Sequence, residues 1–119
     1  MINILKKIIE KLFQLERLNK QQNELKILTG LSLLDKENNS EKINDHELKI
    51  FSQFGEDGII DFLYKKLNLK NKKFIEFGVE DYEESNTRFL LEARNWKGLI
   101  IDSSKIFINK IKKKDYFWR

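Results

Sequence analysis

Apolar residues at the start of the chain recur at spacings of three and four. Leu5, Ile8, Leu12 and Leu15 form one row, and Ile4, Ile9 and Leu18 widen it. That period predicts an amphipathic helix over residues 2–29, with Gly30 as its C-cap. Continuing the same register brings Asn19 and Gln22 to the seam, which weakens a long coiled coil. The stripe is expected to pack on the chain's own domain or on a second copy, so self-association through residues 2–29 is a candidate property. A basic helix lying on a membrane surface is the other use of such a stripe, and Glu10 and Glu16 count against it. Residues 35–49 are polar and poor in aromatics, and read as a linker with His46 in solvent.

From Phe51 the texture changes. Ile59, Ile60, Leu63 and Leu67 share a helical face, and Glu56 and Asp57 suit the N-terminus of that helix. Residues 73–79 are nearly continuously apolar, as a strand covered on both faces would be. Ser85 or Asn86 is placed to cap a second helix, whose Phe89, Leu90 and Ala93 are expected to face the sheet. Residues 95–98 turn the chain back into a second strand, Leu99-Ile100-Ile101-Asp102. Ser103 or Ser104 then caps a helix bearing Ile106, Ile108 and Ile111, with Lys110, Lys112, Lys113 and Lys114 at its C-terminal end. Tyr116 to Trp118 read as the opening of a third strand.

This order of elements predicts an α/β chain in three parts: an amphipathic helix over 1–30, a polar linker over 31–50, and a cofactor-binding domain over 51–119. Two strands and the start of a third leave a free sheet edge. The expectation is therefore the N-terminal portion of a longer protein, ahead of a unit completed by association.

Composition narrows the chemistry. The 119 residues contain no Cys and one His, which excludes thiolate metal sites, a Cys nucleophile and a His-based metal cluster. The net charge of +4 is mild and comes from scattered lysines, so nucleic acid is not an expected partner. No uncharged run is long enough for a signal-peptide core or a membrane span, and the default location is the cytoplasm.

Two parallel strands joined by a helix bind ligands at their carboxyl ends. Gly78, at the first turn, lets the backbone come close to a ligand. Asp102 ends the second strand, where an acid can accept both hydroxyls of a ribose. Glu76 lies in so apolar a run that it must be satisfied, by an ammonium group, a water or a lysine partner. Together these residues point to a nucleoside-bearing cofactor.

Four motifs then carry a resemblance. The run Ser52-Gln53-Phe54-Gly55-Glu56-Asp57-Gly58-Ile59-Ile60, then Phe74-Ile75-Glu76-Phe77-Gly78-Val79, then Asn86-Thr87, then Trp96-Lys97-Gly98-Leu99-Ile100-Ile101-Asp102 resembles the FkbM-like group of S-adenosylmethionine-dependent methyltransferases. The resemblance covers about residues 50–119. It implies a Rossmann-like methyltransferase domain, here incomplete. It also implies that Glu76-Phe77-Gly78 faces the methionine part of the cofactor, Asp102 holds the ribose and Ser103 borders the adenine. Gln53, Glu56 and Asp57 match an upstream motif that folds over the pocket. The acceptor it suggests is a saccharide or secondary-metabolite hydroxyl, methylated on oxygen.

One departure is the bulky, acidic loop after Val79, where a further glycine is frequent in methyltransferases of this fold. Glu80, Asp81, Glu83 and Glu84 would repel a phosphate-bearing dinucleotide but not a sulfonium or an ammonium. The absence of Gly-x-Gly-x-x-Gly also argues against an NAD-dependent oxidoreductase. No residue is a convincing catalytic base; Glu80 and Asp81 are near the site and read better as solvated acids. The competing reading is a non-catalytic interaction protein that associates through its N-terminal helix.

Overall fold

A computed structural model describes residues 2–114, so the third strand expected from Tyr116 lies outside the described residues. The first helix, α1 (Ile2–Leu34), runs beyond its expected end and straight through Gly30. Gly30 is not a cap. It is buried, and a Cβ there would stand 2.4 Å from Ile50 Cδ1 and 3.2 Å from the Phe89 ring. The missing side chain lets the helix lie close against that core, where Ile27, Leu31 and Leu34 pack on Ile50, Phe51 and Phe89. The N-terminal turns project away from this contact, and the molecule is 62 Å along its longest axis.

The polar segment that follows contains a 3-10 turn, Ile43–His46. His46 is not in solvent as expected but half-buried. Its ring stacks on Phe62 with centroids 3.6 Å apart, and its Nε2 lies 2.8 Å from the Ser40 carbonyl oxygen. Helix α2 (Glu56–Lys66) begins earlier than the apolar pattern indicated, because Glu56 and Asp57 form its first turn.

Strands β1 (Lys73–Phe77) and β2 (Lys97–Ile101) pair in parallel, with Lys73 opposite Lys97 and Phe77 opposite Ile101. Helix α3 (Arg88–Arg94) lies in the crossover between them, and α4 (Lys105–Lys112) follows β2. The described residues thus form a mixed helix-and-strand unit with a two-stranded parallel sheet and four helices.

Two expectations about packing are corrected. Phe89 and Ala93 do not face the sheet; they join Ile50 and Phe51 against α1. Leu91, on the other side of α3, packs with Val79, Tyr82 and Ile111, together with Ile100 of β2. The short α3 is wedged between two layers, so both of its sides are apolar. The sheet, expected to be covered on both faces, is covered on one among the described residues. Ile75, Phe77, Leu99 and Ile101 on the other face remain 38–72% exposed.

An ionic hub ties the end of α1 to α2 and α3. Asp61 of α2, 1% exposed, accepts from Arg94 of α3 at 2.7 and 3.1 Å and pairs with Lys65 at 2.8 Å. Asp35, just after α1, meets the same two cations at 2.8 and 3.0 Å. A buried carboxylate such as Asp61 is tolerated only with partners of this kind. The hydrogen bond from Arg94, then that from Lys65, holds the Asp35 carboxyl below its ordinary value of 3.8. A depressed carboxylate stabilises the fold above its unfolded pKa and loses that contribution as pH falls through the folded one. Asp35→Asn should therefore be less stable than the parent at neutral pH in urea titrations. The difference should shrink as the pH drops below 3.8.

Candidate functional site

The carboxyl ends of β1 and β2 meet at one edge of the sheet. Beyond Phe77 the chain turns at Gly78, whose φ of +66° suits glycine. A Cβ at Gly78 would meet nothing within 4 Å, so the space before it is open. The Gly78 N–H donates to the Ile101 carbonyl at 2.8 Å, extending the ladder by one rung. Glu80 and Tyr82 then adopt φ of +48° and +63°, conformations that cost non-glycine residues on the order of 1 kcal/mol each. The surroundings hold both in place. Tyr82 is fully buried, with its hydroxyl 2.9 Å from Thr87 Oγ1, and burial pushes its pKa up to about 12.

Asp102 fixes Glu80. One of its carboxylate oxygens accepts the Glu80 N–H at 2.9 Å and the other accepts the Ser104 N–H at 2.8 Å. The acid at the end of β2 thereby joins the loop after β1 to the start of α4. Ser104, rather than Ser103, caps α4, its hydroxyl accepting from the Phe107 N–H at 3.4 Å. Ser103 is exposed beside it. A carboxylate has about four acceptor positions, so each Asp102 oxygen keeps room for one further donor.

Glu76 is committed differently. Its Oε2 accepts from the Ser85 hydroxyl at 2.6 Å, the Thr87 N–H at 3.1 Å and the Thr87 hydroxyl; its Oε1 accepts the Asn86 N–H at 2.9 Å. Neither Ser85 nor Asn86 caps α3; Thr87 holds the N-cap position without a side-chain cap bond. The Ser85-Asn86-Thr87 turn is instead folded around Glu76. This explains how an acid survives in an apolar strand, and it gives the Asn86-Thr87 pair a positioning role.

The upstream motif is also turned inward. Asp57 is 1% exposed, and its Oδ2 accepts the backbone N–H groups of Ile50, Phe51 and Ser52 at 2.7–2.8 Å. Its Oδ2 shapes that loop, while its buried Oδ1 has no hydrogen-bond partner among the described residues. Glu56 closes on its own N–H and that of Phe54, which lower its pKa. Gln53 is exposed on the same loop. The loop reaches the rest of the site through Phe51, whose carbonyl accepts the Ser85 N–H at 3.1 Å.

The acidic loop is partly neutralised by α4 and the residues after it. Lys114 donates to the Asp81 carbonyl and to the Glu83 carboxylate, both at 2.6 Å, and Lys110 lies 4.0 Å from the Asp81 carboxylate. Burial would raise the Glu83 pKa, but the Lys114 hydrogen bond and the Arg88 charge outweigh it and lower it. Lys110 and Lys114 thus act as counter-charges to this loop. Their spacing of four, across the C-terminal end of α4, was the available signal. A 460 Å³ cavity lies elsewhere, lined by Asp35, His46, Asp61, Phe62 and Lys65; it borders the ionic hub, whose charges are paired with one another.

No protein-family model, no curated protein and no solved structure matches this chain.

Glu76→Ala should leave the Asn86 amide without its acceptor and remove the carboxylate from the Ser85 hydroxyl and from the Thr87 hydroxyl and amide. We expect a loss of about 2–3 kcal/mol in urea unfolding. A loss under about 0.5 kcal/mol would show that the turn does not depend on Glu76.

Proposed function

We propose that this chain carries the cofactor-binding half of an S-adenosylmethionine-dependent methyltransferase with a Rossmann-like fold, acting on a hydroxyl of a saccharide or similar small molecule. The observation that supports this most is the pairing of an open glycine turn with an acid at the adjacent parallel strand end. Gly78 offers backbone without a side chain, and Asp102 has a free acceptor position on each oxygen. When bound, the cofactor supplies an already activated methyl group, so the protein's part is alignment and exclusion of water.

In this reading Asp102 accepts the two ribose hydroxyls while its bonds to Glu80 and Ser104 hold it in orientation. Ser103 borders the base. Glu76 acts one step back, by fixing the Asn86-Thr87 turn beside the methionine end. Gln53 belongs to the rim, and Asp57 holds the loop that presents it. Asp81 and Glu83 are drawn toward lysines, which leaves Glu80 as the exposed acid nearest the strand ends. The competing reading, an interaction protein without a cofactor, draws on the exposed apolar side of α1.

Calorimetric titration with S-adenosylhomocysteine, with NAD as the control ligand, separates the two. We expect the first to bind and the second not to. Asp102→Ala should weaken binding about ten-fold or more through the lost charged acceptor, and Gly78→Val should weaken it through the side chain and the unfavourable φ. A folded chain that binds neither ligand, or variants that bind like the parent, would defeat the proposal.

A further inference from the structure

The first turns of α1 carry eight large apolar residues between Ile2 and Leu15, all 44–82% exposed. At 3.6 residues per turn they occupy one half of the helix circumference. The charges are distributed around that half in a definite way. Lys6 follows the edge residue Ile2 by four positions and so borders one side. Arg17, on the same side four positions beyond Phe13, lies past this stretch and lines a cavity with Glu83 and Arg88. Lys7 and Lys11 stand three and four positions from Ile4 and Leu15 and border the other. Asn3, Glu10 and Gln14 fall on the opposite, polar side. Residues 2–15 thus carry three lysines against one glutamate.

We infer that residues 2–15 of α1 dock in the plane of an anionic lipid surface. An apolar half-cylinder with cations along both borders matches such a surface: the hydrocarbon takes the stripe, the lysines reach the phosphates and the remaining polar side faces water. Glu10, which counts against this use when only composition is considered, is on the water side. Glu16 stands on the stripe's side one turn beyond Leu12, and marks where the helix leaves the surface. The immersed length is about 21 Å, short of the roughly 30 Å of a hydrocarbon core. No helix of the described residues is long and apolar enough to cross a membrane.

The other occupants fit less well. The chain's own core contacts α1 from Ile27 onward. A second copy paired as a coiled coil would use the seam Leu5, Ile8, Leu12 and Leu15, which becomes polar at Asn19 and Gln22 after two heptads. Ile4 and Ile9 lie outside that seam, and pairing would leave them partly bare.

The test is co-sedimentation of the full chain with vesicles of phosphatidylcholine alone and of phosphatidylcholine mixed with phosphatidylglycerol. Sedimentation velocity on the free chain reports any self-association. The parent should pellet with the mixed vesicles and much less with the neutral ones. Lys6→Glu combined with Lys11→Glu should lower partitioning by more than about ten-fold. Leu5→Ser combined with Leu12→Ser should do the same, and circular dichroism should show both variants helical. Because all four positions are exposed and remote from the core, the fold does not depend on them. The inference is overturned if the parent stays in the supernatant, as monomer or as oligomer. It is equally overturned if the parent pellets alike with both vesicle types, or if the variants pellet like the parent.

Discussion

The candidate site depends on one constraint: β1 and β2 run parallel and in register. Parallel strands cannot be joined by a tight turn, so the chain must leave the sheet, form α3 and return. Both strands then end at the same edge. Gly78 and Asp102, separated by a whole helix in sequence, become neighbours there, joined by the rung from Gly78 to Ile101 and by the bond from Glu80 to Asp102. The left-handed conformations of Glu80 and Tyr82 persist because this edge is fastened from several directions.

Carboxylates do much of the fastening. Asp57 gathers three amides of one loop, Glu76 gathers the turn before α3, and Asp61 with Asp35 gathers the two cations that join the helices. Asp57, Asp61 and Glu76 would be expensive to bury alone and become structural through these donors. The acids near the candidate site therefore differ. Glu76 is spent on backbone and hydroxyl donors through both oxygens. Asp57 is committed through Oδ2, while its buried Oδ1 has no hydrogen-bond partner among the described residues. Asp102 is anchored by one bond per oxygen and still able to accept more.

Much of this was legible in the chain. The three-and-four spacing in α1, the apolar runs of the two strands, the glycine turn and the acid ending β2 are local patterns, and local patterns survive folding. What was not legible depended on distant partners. Gly30 carries the statistical mark of a helix end, but here it lets α1 approach Ile50 and Phe89, whose positions no nearby residue announces. Phe89 and Leu91 are both apolar, and only the layering decides which meets α1 and which meets the sheet side. The near-continuous apolar β1 implied cover on both faces, while Ile75 and Phe77 stay exposed among the described residues. Ser85 and Thr87 look like generic helix-start residues until Glu76 is seen between them.

The central claim is that the carboxyl edge of the parallel pair is a ligand site. Its most direct test is an amide-resolved NMR titration of the chain with S-adenosylhomocysteine. The account predicts that the largest shifts fall on the amides of Gly78, Val79 and Glu80 and on those of Asp102, Ser103 and Ser104, which meet at that edge. Shifts confined to the cavity around His46 and Lys65, or an unchanged spectrum at saturating ligand, would contradict it.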